Sequence, residues 1–226
     1  MINTHNTYNP PLIEIHYTIH SSLETMDENR YSQKIVGNIV HVDADGNEME
    51  VIGQIAARKL LLAEARKVEW QGGSIFWADD ASGEIGSWIF DVEQEIWTSP
   101  LTDYYSHNLS GDAVLILSHI EIIPAYRGKE IGKLAIKDLY NNFIQGAALF
   151  VLKCAPVENE NTTRTASKPP TLMKYHGREQ GYSKAFIKLH AYFKSIGFET
   201  IPLFDDEIMV MNPQVLKGSF NAIRLD

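Results

Sequence analysis

The sequence predicts a single α/β domain, and three observations carry that expectation. Residues 113–154 read as a buried strand, a helix and a second buried strand; residues 183–211 read as a helix followed by a β-hairpin; and the composition is that of a globular chain. The 226 residues are 44% hydrophobic and 22% charged, which excludes collagen-like, low-complexity and wholly disordered chains. Length alone, at about 150 residues per domain, allows one domain with insertions.

Taken in order, residues 12–20 (LIEIHYTIH) alternate, so Ile13, Ile15, Tyr17 and Ile19 share one face of a half-buried strand. Residues 34–42 read as a second strand, and residues 43–47 (DADGN) carry turn chemistry, with Gly46 or Asn47 able to take positive φ. Residues 50–67 are rich in strong helix formers with Ile52, Ile55, Ala56, Leu62 and Ala63 at helical spacing, which predicts a long helix. A short apolar run at 72–78 suits a strand. Ile85, Trp88, Ile89, Val92 and Ile96 fit a 3.6-residue period, predicting a helix over 79–97 that Pro100 closes, with a polar loop over 98–112.

The second half is more sharply punctuated. Residues 113–123 (AVLILSHIEII) are apolar enough for a central strand, ended by Pro124, which cannot donate to a ladder. Apolar residues then recur on a helical face over 130–144 up to Gly146, and 147–154 (AALFVLKC) is another buried strand. Residues 156–181 are almost free of apolar side chains and read as a surface insertion, either lid or disordered loop. Ser183 is placed to cap a helix with Phe186, Leu189, Phe193 and Ile196 on its face and Gly197 as its stop; 198–204 and 207–211 close as a hairpin.

The formal charge of −9 argues against a nucleic-acid surface, which needs clustered Lys and Arg, and favours a small or cationic substrate. One cysteine, Cys154, forms no internal disulfide and lacks histidines at metal spacing, so it reads as a core residue in a reducing compartment. The polar first eleven residues and the absence of any apolar run near 18 residues predict a cytoplasmic protein without membrane contact. His16 and His20 share a strand face but have no third ligand nearby, so no metal is expected. Trp70, Trp77, Trp88 and Trp97 read as core. Asp79, Asp80, Asp91, Glu93 and Glu95 read as a solvated face, with a cleft for a cationic substrate as the alternative.

Chemistry concentrates in residues 119–133, HIEIIPAYRGKEIGK, where a buried strand meets a proline, a short loop and a helix. A helix N-terminus presents unpaired N–H groups and partial positive charge, so this is an anion site. Gly128 and Gly132 allow close backbone approach, and Arg127, Lys129 and Lys133 add positive charge. The alternative is an ordinary tight turn with solvated basic residues.

The string IEIIPAYRGKEIGKLAI resembles motif A of the GNAT acetyltransferase superfamily: Arg or Gln, two residues, Gly, one residue, then Gly or Ala. Arg127 matches the first position and Gly132 the last, while Glu130 stands where the family has its middle glycine. LHAYFKSIGF, from Leu189 to Phe198, resembles the family's motif B. The resemblance covers residues 113–211 and leaves the amino-terminal half divergent, as the acceptor side of one domain. It implies a mixed central β-sheet flanked by helices, with splayed central strands and a C-terminal β-hairpin.

It also implies an N-acetyltransferase that uses acetyl-CoA as co-substrate and acetylates a small-molecule or protein amine by direct attack in a ternary complex; a degenerate acyl-CoA-binding sensor is the alternative. Backbone groups of Ile122 and Ile123 would hold the pantetheine, and those of Arg127, Gly128, Lys129, Glu130, Ile131, Gly132 and Lys133 the pyrophosphate. A homodimer is an assembly the family often forms. Attack requires a neutral amine and a proton for the departing thiolate. Glu121 and His119, two apart on one strand, share a face and are the base candidates, directly or through water. The family's usual acid is a tyrosine, where this chain has Phe193; Tyr192, one residue earlier and about 100° around the helix, is the acid candidate, with water as the alternative.

Overall fold

The computed structural model describes residues 12–21, 28–67, 75–76, 80–106, 108–155 and 179–215. It is a mixed α/β fold: a large, mostly antiparallel sheet, not closed into a barrel, flanked by helices. Strands β1 (Leu12–His20), β2 (Ser32–Val42) and β3 (Glu48–Leu61) form an antiparallel meander. Helix α1 (Leu62–Arg66), helix α2 (Asp80–Ile89), a short ribbon of β4 (Phe90–Asp91) and β5 (Ile96–Trp97), and helix α3 (Ser99–Tyr104) follow. The chain continues as β6 (Ala113–Ile122), α4 (Ile131–Phe143), β7 (Ala147–Lys153), α5 (Glu179–Ile196), β8 (Glu199–Thr200) and β9 (Ile208–Met211). The main sheet runs β1-β2-β3-β6-β7-β9-β8, and β6 with β7 is its parallel pair.

Two cores sandwich the sheet. Ile35, Ile55, Leu115, Leu117, Phe150 and Leu152 pack on one face under α4 and α5, through Ala135, Ile136, Leu139, Phe193 and Ile196. Val114, Ile116, Leu149, Val151 and Val210 pack on the other under Leu62, Ile85, Ile89 and Leu101. Strand β7 is therefore buried on both sides, which accounts for its unbroken apolar run. On the α4 side Gly37 makes room for the Tyr17 ring, which meets Phe143 edge-on at 5.0 Å.

The helix expected over 50–67 is instead mostly strand β3, with only α1 at its end. Its register explains the error: Ile39 faces Gly53 and Val40 faces Val51, leaving Ile52 as a bulge residue. The bulge puts Ile52 and Ile55 on the same core, a three-residue spacing that imitates a helix, and pairing on both edges overrides the helix-forming composition.

The helix expected over 79–97 stops at Ile89. Asp91 Oδ1 accepts from the N–H groups of Glu93 (3.0 Å) and Gln94 (2.9 Å), building the turn of the β4–β5 ribbon. Pro100 opens α3 rather than closing a helix, within the region expected to be loop; its fixed φ suits a first turn. Helix α5 starts at Glu179, four residues before the expected cap. Most of the 72–78 run, the 156–178 part of the polar insertion, Trp70, Trp77 and Asp79 lie outside the described residues. No described helix is long and apolar enough to cross a membrane.

Candidate active site at the free edge of β6

The site begins with a bulge. Ala56 faces His119 and Ala57 faces Leu117, so Ser118 is an extra residue in β6. Before it, odd-numbered residues face the α4 core; after it, Ile120 and Ile122 do. The bulge thus turns His119 and Glu121 to the opposite face, the one shared with Val114 and Ile116. Sequence spacing places His119 and Glu121 together; the bulge decides where they point.

At the same place β6 loses a neighbour. Its parallel pairing with β7 ends at Leu117 opposite Leu152, and from Ser118 onward no described strand pairs with that edge. Ile123 N–H donates to Ile52 O at 2.8 Å, toward β3. By strand alternation the backbone groups of Ile122 and Ile120 therefore point to the free edge. The Ile122 carbonyl there accepts from Arg127 Nε at 2.8 Å. Of the two residues expected to offer backbone groups, Ile122 has the orientation for it through its N–H, its carbonyl being held by Arg127, and the Ile123 N–H does not.

The loop that follows is a 3-10 turn at Pro124–Tyr126, then two left-handed residues, Gly128 (φ 75°) and Glu130 (φ 60°). Glu130 adopts the conformation that glycine takes at no steric cost. Its carboxylate does not cap α4; it pairs with Lys133 Nζ at 2.6 Å. The first intrahelical acceptor of α4 is Glu130 O, taken by Lys133 N–H (2.9 Å) and Leu134 N–H (3.1 Å), so the N–H groups of Ile131 and Gly132 have no helical partner. Arg127 and Lys129 are exposed, and Lys129 Nζ lies 4.8 Å from the centre of the Tyr126 ring.

Two features of this loop are absent from the sequence reading. Tyr126 donates to Glu50 Oε1 (2.5 Å) and its oxygen lies 3.0 Å from His41 Nδ1, bracing the loop against β2 and β3. The bond to Glu50 raises the Tyr126 phenol above its ordinary value, with burial adding to it. The motif names Arg127 but carries no signal for a brace supplied by residues more than seventy positions away.

Glu121 is the buried group of the site, its side chain 8% exposed. His119 Nε2 lies 3.3 Å from Glu121 Oε2, whereas Glu121 Oε1 has no hydrogen-bond partner among the described residues. An unsatisfied buried acceptor costs roughly 1–3 kcal/mol, and more when charged, which makes Glu121 Oε1 a candidate acceptor for a ligand's N–H or O–H. On the same face Glu121 stands opposite Gln54 on β3, Gln54 opposite Asn38 on β2, and Asn38 opposite His16 on β1. A polar row thus crosses four strands.

Tyr192 approaches from the α4 side of the sheet. A Cβ at Gly132 would fall 2.6 Å from its hydroxyl and 3.8 Å from Ile120 Cδ1, so Tyr192 lies over the start of α4 beside the free edge. Burial, reinforced by the negative charge of Glu130, pushes its phenol well above the ordinary value. Phe193, one position on, is 4% exposed and packs in the core against Phe198.

Cys154 is buried, its thiol pushed up to about 12 by burial and by Glu207. His16 sits between Glu14 (3.1 Å) and Glu48 (3.2 Å), and no described group of three potential metal ligands is close enough to hold an ion. Glu95 is drawn to Arg66 at 3.6 Å. Comparison of the chain with protein-family models, with curated proteins and with solved structures finds no match to any of them.

Proposed function

We propose that this chain is an acetyl-CoA-dependent N-acetyltransferase acting on a primary amine, with β6 and β7 diverging past Leu117 to form the slot for the acyl donor. The observation that carries the reading is the conjunction at one strand end: a free backbone edge, a basic left-handed loop leading to a helix N-terminus, and a buried carboxylate with one oxygen unpaired. Unpaired strand groups suit an amide-containing arm, and the loop suits a pyrophosphate. Glu130 fits this role because its backbone takes the glycine conformation while Lys133 holds its charge.

Acetyl-CoA supplies a thioester carbonyl as electrophile. The amine attacks the thioester carbonyl as the neutral base, and as the C–N bond forms Glu121 Oε1 takes a proton from the nitrogen, leaving the amide uncharged. His119 on Oε2 holds the carboxylate in place. As the C–S bond breaks, the electron pair leaves with sulfur, and Tyr192 gives that thiolate its hydroxyl proton. The burial that keeps this proton on the phenol also weakens Tyr192 as an acid, so water shares in protonating the thiolate.

A second reading, acyl-CoA binding without turnover, is favoured by the Glu130 carboxylate beside the loop and by Phe193 at the usual tyrosine position. Calorimetric titration with acetyl-CoA tests both: binding is expected, and no heat at millimolar ligand overturns both. Free thiol released with an amine panel then separates them, since binding without release leaves only the second.

A further inference from the structure

We infer that Gln54 and Asn38 form the acceptor subsite, and that it takes a small primary amine carrying a hydroxyl or carbonyl oxygen about one strand spacing, roughly 5 Å, from the nitrogen. The inference rests on the acetyltransferase reading only for the fate of the amine; the binding site stands on its own geometry. Glu121, Gln54 and Asn38 are direct cross-strand neighbours on one face, interrupted by no bulge within the row. Directly opposed side chains in antiparallel strands lie within reach of a common ligand.

Donors and acceptors along the row are ordered. Glu121 Oε1 is buried and unpaired, so it takes one N–H of the amine. Gln54 Nε2 donates to Asn38 Oδ1 at 3.3 Å, which turns Gln54 Oε1 into an acceptor for a second N–H. The same bond uses the Asn38 oxygen and leaves the Asn38 Nδ2 hydrogens to donate to an oxygen one strand further on. Asn38 is exposed and Gln54 partly so, which opens that end of the row to solvent, whereas Glu121 Oε1 is covered and is reached only by a ligand that displaces its cover. An alkyl amine satisfies only the first part of this pattern. A site built to hydrogen-bond a substrate oxygen discriminates strongly against a ligand that lacks it.

The test measures binding of 3-amino-1-propanol and of its apolar counterpart n-butylamine to the whole chain by calorimetry, with and without saturating CoA. The expected result is at least tenfold tighter binding of the amino alcohol, a preference lost in Asn38→Ala, with both amines weakened in Gln54→Ala. Ethanolamine and 5-amino-1-pentanol supply a second measurement that needs no variant, and affinity should peak at the three-carbon spacer. Equal binding of the two amines, a preference that survives Asn38→Ala, no dependence on spacer length, or no binding in either condition overturns the assignment. Failure of acetyl-CoA to bind while the preference persists removes the acetyltransferase reading and leaves this site intact. Thiol release with a preference indifferent to Asn38 does the reverse.

Discussion

From residue 113 to residue 117 strand β6 is paired on both edges and buried on both faces, whereas from His119 to Ile122 β3 is its one partner among the described residues, and this stretch carries His119 and Glu121. The same strand supplies rigidity in its first half and unsatisfied groups in its second. The switch is one extra residue, Ser118, placed where β7 drops away. A site held this way has precise side-chain directions, because they descend from a fully packed strand, yet its free edge lies outside the core.

The contrast can be broken in order of expected effect. Leu115→Ala, in the paired half, removes a fully buried side chain and should cost about 3 kcal/mol in urea unfolding, while Ile122→Ala, half-buried beyond the bulge, should cost less than about half of that. Equal losses would mean that the two halves are packed alike. Glu121→Gln removes the acceptor for the amine proton and should lower kcat about 100-fold with acetyl-CoA affinity unchanged; an undiminished rate removes Glu121 as base. Tyr192→Phe should lower kcat about tenfold, the loss limited because water can protonate the thiolate, and leave unfolding within about 0.5 kcal/mol. Glu130→Gly relieves a left-handed glutamate and deletes a carboxylate from the loop. It should tighten acetyl-CoA about threefold and raise stability by at most about 1 kcal/mol, since the added glycine freedom in the unfolded chain offsets part of the relief.

The same division runs through what the sequence disclosed. Strand β7 and the paired half of β6 were legible because burial on both faces writes an uninterrupted apolar run, and α4 because its face repeats between a proline and Gly146. Strand β3 was not, because the Ile52 bulge breaks a two-residue alternation into a three-residue one. Helix α2 was overextended because Val92 and Ile96 continue its period, although Asp91 turns the chain. Within the site, Arg127, Gly132, His119, Glu121 and Tyr192 could be named from local strings. Gln54, Asn38 and the Tyr126–Glu50 brace could not, because cross-strand register is a property of the folded sheet and leaves no local trace.

The central claim is that the free edge of β6 past Ser118 is the docking line for the acyl donor, and amide hydrogen exchange at Ile120 and Ile122 tests it most directly. Those two amides should exchange quickly in the free protein and become protected when acetyl-CoA is added, while Leu115 and Leu117 stay protected throughout. Protection of Ile120 and Ile122 without ligand, or no change on adding saturating acetyl-CoA, would contradict the account.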